Sequence, residues 1–173
     1  MARPTPGRND RALAALRIAV GVLFLVFGEY KVFGPEFVFG GGFQDWIQRF
    51  LAEGSAYPFM VPVLRAVVLP HARPFALLVA YGELALGVSL ILGLWVRAAS
   101  LCGLVYMLAL LFSANYPGPD AVLWHYFGAA LEHLVLALCF AAFLVGAPER
   151  AWSVIAVWRE RSAAARLSSQ GHG

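Results

Sequence analysis

Residues 79–95 read VAYGELALGVSLILGLW, and Glu83 is the only charged residue among them. A helix of roughly 20 apolar residues crosses a hydrocarbon core of about 30 Å, so with its flanks this stretch has the length and character of a membrane span. A carboxylate inside such a span is costly and is retained for packing or for function. The question is what surrounds Glu83.

Working outward from this stretch, three more apolar segments appear. The spans are placed near 13–33, 75–95, 98–115 and 123–146, with a long loop over 34–74. Hydrophobic residues make up 61% of the chain and charged residues 13%, about half the charged share of a soluble domain. The chain therefore reads as an integral membrane protein, an all-α four-helix bundle. Residues 1–12 form an N-terminal tail and 147–173 a C-terminal one. The first span has the basic flank of a secretion signal but no small-residue cleavage site after it, and is read as retained.

Arginines set the expected orientation. Arg3, Arg8, Arg11, Arg17, Arg97, Arg150, Arg159, Arg161 and Arg166 fall on one side of the four spans, which the positive-inside rule makes cytoplasmic. Both termini are expected inside, in a bacterial-type plasma membrane. In the outer loop, Phe43, Trp46, Ile47, Phe50 and Leu51 recur at helical spacing with polar residues opposite, predicting an amphipathic helix at the outer interface. The piece VLRAVVL (63–69) is too short to span and is read as part of a cap. Trp152, Ile155 and Trp158 among arginines predict a cytoplasmic amphipathic helix.

Residues three or four apart share a helix face. On that spacing Glu29 goes with Gly21 and Leu25, and Glu83 with Ala76, Ala80 and Gly87. Tyr106 goes with Ala99, Gly103 and Ser113, and Glu132 with His125, Gly128, Ala129 and Cys139. Small residues mark faces where membrane helices pack closely, so these polar groups are expected to point inward. At 1.5 Å per residue Glu83 lies roughly 12 Å and Glu132 roughly 14 Å below the outer boundary. Glu29, Glu83, His125, Glu132 and His133 are thus expected to converge on one outer-half pocket, with Lys31 extending outward to the interface.

Carboxylates gathered at low dielectric with few cations cannot all stay ionised, which points to shared protons. Glu83, Glu132 and His133 are the candidate proton-handling residues. Glu29, Tyr106, Asn115, Trp124, His125 and Tyr126 are candidate ligand-binding residues. The alternative is a hydrogen-bond network that only fixes helix register. No metal site is predicted, and no intrinsic cofactor: Cys102 and Cys139 form no CxxC, and His125 and His133 lie on one helix, about 12 Å apart along its axis. A redox pair of Cys102 with Cys139 is a minor expectation, because an isolated membrane cysteine usually fills apolar space.

The stretches RIAVGVLFLVFGEYKVF (17–33) and YGELALGVSLILGLWVRAAS (81–100), together with the histidine-bearing fourth span, resemble the DoxX (DoxX/DoxD-like) family over about residues 16–146. Gly28 with Glu29, Gly82 with Glu83, and the Gly93 to Arg97 turn carry the likeness. The resemblance implies a four-helix membrane bundle and, among relatives, association with redox and thiol-handling partners, including thiosulfate:quinone oxidoreduction. Only Glu29 and Glu83 are carried over as matching positions.

Two functions follow as expectations. The first is a redox-linked subunit binding a quinone or similar lipophilic ligand in the outer half, with electrons supplied by a partner. The second is a non-catalytic accessory or assembly subunit of a larger membrane complex. The expected partners are the bilayer and membrane or envelope proteins, with an oligomer allowed and no nucleic acid. Whether the chain is an enzyme is left open.

Overall fold

Helix α1 (Arg8–Phe33) begins where the Gly7 amide donates to the Asp10 carboxylate at 2.9 Å, and ends at Gly34, whose amide donates back to the Tyr30 carbonyl. Pro35 cannot continue that helix and instead opens a new one, α2 (Pro35–Val38). The structure, a computed structural model, describes residues 7–146, 148–154 and 157–158. Helix α3 (Gly42–Ala52) follows Gly41, whose φ of 87° is a left-handed conformation that glycine adopts without steric cost.

The next run is irregular for a visible reason. Helix α4 (Val61–Val63) passes through a π turn at Leu64–Val68 and a 3-10 turn at Leu69–His71 into α5 (Ala72–Leu92). In a regular α-helix the Pro70 ring would strike the Ala66 carbonyl and Pro70 would donate no hydrogen bond. A change of turn width lets the run continue past it. The piece expected to be a separate cap is therefore the start of one apolar helical run, Val61–Leu92, of 32 residues.

Helix α6 (Val96–Ala114) returns across the layer, and α7 (Leu123–Ala129) and α8 (Leu131–Val145) follow. The last two meet at a 76° bend. The fourth span, expected to run straight over 123–146, is thus broken at Ala130. A 3-10 turn at Pro148–Arg150 comes after α8. Among the described residues there is no strand. Among the described residues three helices are long and apolar enough to cross a membrane, or four if the bent pair is one span.

Helix α1 lies along α5 and α6 along α8, with fewer contacts joining the two pairs. The α1 seam is Ala14, Arg17, Gly21, Phe24 and Gly28, all buried. The α5 seam is Ala76, Ala80, Glu83, Gly87 and Leu90, also buried. Steps alternating three and four keep one face in register with a neighbouring helix. Glycines let the two backbones close: a Cβ on Gly28 would lie 2.7 Å from the Leu84 amide nitrogen, and one on Gly87 2.7 Å from that of Leu25. Phe24, Phe140 and Phe143 fill the centre, with Phe24 and Phe140 packed edge to face at 5.3 Å.

Helix α3 carries the expected amphipathic face. Ile47 is buried in a satellite cluster with Ala56 and Leu64, while Trp46 stays exposed. The predicted C-terminal helix lies largely outside the described residues, as do Arg3, Ile155, Arg159, Arg161 and Arg166. The start of α1 and the Pro148–Arg150 turn pack together. That end of the helices is called the terminal end below, and the end carrying α2 and α3 the loop end.

Candidate functional site

Extending the α1 seam by its own rhythm leads from Gly28 to Lys31, in the last turn, where a cation is also favoured by the helix dipole. Its Nζ donates to Glu83 Oε1 at 2.5 Å, and the Tyr106 hydroxyl donates to the same oxygen at 2.6 Å. The side chains of Lys31 and Glu83 are only 12% and 5% exposed, which makes this a buried ion pair. Three helices, α1, α5 and α6, each supply one member. The Phe37 ring lies 5.5 Å from Nζ, and Phe24 meets the Tyr106 ring edge-on at 6.5 Å. The second carboxylate oxygen, Glu83 Oε2, is buried and has no hydrogen-bond partner.

A second polar group stands at the bend. Asn115, which ends α6, donates from Nδ2 to the Ala129 carbonyl at 2.6 Å, meeting a carbonyl that the break leaves without a helical partner. Its Oδ1 then faces His133 Nδ1 at 2.7 Å. An amide oxygen only accepts, so the network assigns the proton of a neutral His133 ring to Nδ1 and leaves Nε2 as an acceptor. His133 is half-buried and follows Ala130 on the seam that continues through Ala137 and Phe140.

A third group is aromatic and superficial. Tyr126 donates to the Gly118 carbonyl at 3.0 Å and its ring lies 6.3 Å from that of Tyr116, which in turn packs on Tyr57 at 5.0 Å. Burial, reinforced by the neighbouring phenols, holds the Tyr57 hydroxyl above the ordinary phenol range. The Trp124 and His125 rings touch at 3.9 Å on the surface of α7.

The five residues expected in one pocket are therefore distributed. Glu83 is buried with Lys31 and Tyr106, and His133 is bonded to Asn115. Glu29, Glu132, His125 and Trp124 are exposed. The reason is angular: consecutive helical residues are about 100° apart, so Glu29 next to Gly28, and Glu132 next to His133, turn away from the seam. Lys31 corrects a further expectation, since it turns inward to Glu83 and does not extend to the interface. It is the residue that sequence reasoning missed, and the three-four rhythm from Ala14 through Gly28 was the signal for it.

Two shallow surface clefts of about 150 and 180 Å³ lie at the loop end. Neither is lined by Glu83, Tyr106 or His133. Cys102 is exposed, Cys139 is half-buried and both are free thiols. Among the described residues no three His, Cys, Asp or Glu side chains form a metal-binding group.

Long apolar helices closed around a Lys31–Glu83–Tyr106 triad define a multi-pass helical membrane protein with a buried, internally neutralised charge. The family model of DoxX matches residues 12–116, more than half of the chain, and the chain belongs to the DoxX family. No curated protein matches it, and no solved structure does.

Proposed function

We propose that the chain is a non-catalytic accessory or assembly subunit of a larger membrane complex. In this reading the buried triad secures the scaffold, and partners dock on its periphery. The supporting observation is that Glu83 Oε1 takes hydrogen bonds from two other helices at once, from Lys31 and from Tyr106. A carboxylate held that way ties three spans together, and the cation beside it removes the reason to expect shared protons. The membrane is a bacterial-type plasma membrane with both termini cytoplasmic, on the arginine distribution. The partners are membrane or envelope proteins.

One observation favours the second reading. Glu83 Oε2 is buried without a partner, and an acceptor of that kind suits the hydroxyl of a quinol, while the Lys31 ammonium, with three N–H groups, keeps donors for a quinone carbonyl beyond the one given to Glu83. Mass spectrometry of the gently solubilised wild type and of the Lys31→Met/Glu83→Gln double variant separates the two. Stable co-purifying subunits in both samples, without a lipophilic ligand, are expected for the accessory role. A stoichiometric quinone in the wild type that disappears in the double variant overturns it in favour of the redox role.

A further inference from the structure

Arg17 lies on the same α1 seam as Lys31, fourteen residues earlier, or about 21 Å along the axis. It is completely buried. Its Nη2 donates to the Trp152 carbonyl at 2.7 Å, but Nε and Nη1 are buried without partners. Glu149 stands in the Pro148–Arg150 turn that packs on α1, near enough to act on Arg17 electrostatically, and its Oε2 is likewise buried and unpartnered.

The segment that meets Arg17 is closely seated. Pro148, Ala151 and Ser153 are buried while Trp152 and Val154 are exposed. Ser153 ties the segment internally through a hydrogen bond from Oγ to the Glu149 carbonyl at 2.7 Å. Its Cβ and the Arg17 guanidinium both press on Gly93, where a Cβ would collide with each. Gly93, at φ 69°, makes the turn between α5 and α6. Residues 148–153 therefore close the terminal end of the helices by sitting on α1 and on that turn.

Buried donors and acceptors left unmade weaken a contact that is otherwise well packed. Here the unmade groups are complementary in charge, Arg17 on α1 and Glu149 on the segment. We infer that Pro148–Ser153 is a detachable latch over the terminal end of the bundle, with Arg17 as its catch and Glu149 as its counter-charge. In the docked state the guanidinium is shielded. In the released state Arg17, Gly93 and the terminal ends of α1 and α5 are uncovered together.

The test is thiol accessibility in the full-length, detergent-solubilised protein, with Cys102 and Cys139 replaced by alanine and Ala151→Cys as the reporter. A water-soluble maleimide should label this reporter slowly, and a Val154→Cys reporter fast. Losing a charge-assisted hydrogen bond should raise the open population, and with it the labelling rate, about tenfold in Arg17→Met. Glu149→Gln should raise the rate less. Ser153→Phe, confined to the latch and too large for the space against Gly93, should release it with the helices intact, as judged by an unchanged elution profile. It answers the question if Arg17→Met does not fold. Parental labelling at Ala151→Cys as fast as at Val154→Cys overturns the latch. Parental rates in Arg17→Met, or in both Glu149→Gln and Ser153→Phe, overturn it as well.

Discussion

Gly28 is buried, with no room for a Cβ beside the Leu84 backbone, and the Glu29 that follows it is exposed; of Gly82 and Glu83 it is the carboxylate that is buried and the glycine that is half-exposed. Nothing lies within 4 Å of where a Gly82 Cβ would be, while Glu83 is buried on the α5 seam. The same dipeptide thus serves two purposes in two helices that pack on each other. In α1 the glycine is the contact, and in α5 the carboxylate is. A shift of one residue, about 100° around the helix, decides which.

Breaking the charged half of this comparison should cost most. Lys31→Met strands a buried carboxylate and should lower stability by about 3–5 kcal/mol, read as the unfolding midpoint in mixed micelles. Glu83→Gln should cost less, because the lysine it leaves behind sits in the last turn of α1 and its long stem can reach water. The Lys31→Met/Glu83→Gln double variant should recover much of the loss. If it is no better than Lys31→Met alone, the ion pair is not what couples α1 to α5.

The glycine half should break next. Gly28→Val pushes a branched side chain into the Leu84 backbone and should cost about 1–3 kcal/mol or more. Gly82→Val, off the α5 seam and facing open space, should stay within about 0.5 kcal/mol of wild type. Equal losses at the two glycines would mean that α1 and α5 do not pack as described.

The hydroxyl of Tyr106 tests the third helix. Tyr106→Phe keeps the ring against Phe24 and removes one hydrogen bond to a charged group, for a loss of about 1.5–3 kcal/mol. Smallest of all is Glu29→Gln, which should leave the melting temperature and the co-purifying proteins unchanged. A clear loss there would restore Glu29 to the working part of the molecule.

How much of this was legible depends on where the information sits. The apolar spans and the burial of Glu83 were readable because Ala76, Ala80 and Gly87 surround it at steps of three and four. Glu29 was misjudged by pairing it with Gly21, eight residues back, a separation that is about 80° off a common face. Following Ala14, Arg17, Gly21, Phe24 and Gly28 would have chosen Lys31 in its place. The same rhythm chooses His133 over Glu132 in α8. The bend at Ala130 had no comparable signal, since no proline marks it and the Ala129 carbonyl is met by Asn115 from another helix. Tertiary contacts of that kind are not written into local spacing.

The bend also has a consequence for the surrounding lipid. Helix α8 alone has 15 residues and α1 has 26, or about 22 Å against about 39 Å of axial length. Hydrocarbon about 30 Å deep is undermatched beside α8, and it adapts by thinning next to that short wall. The molecule carries a built-in hydrophobic mismatch, so its neighbours on the α8 flank should be short acyl chains or another protein of equally low profile.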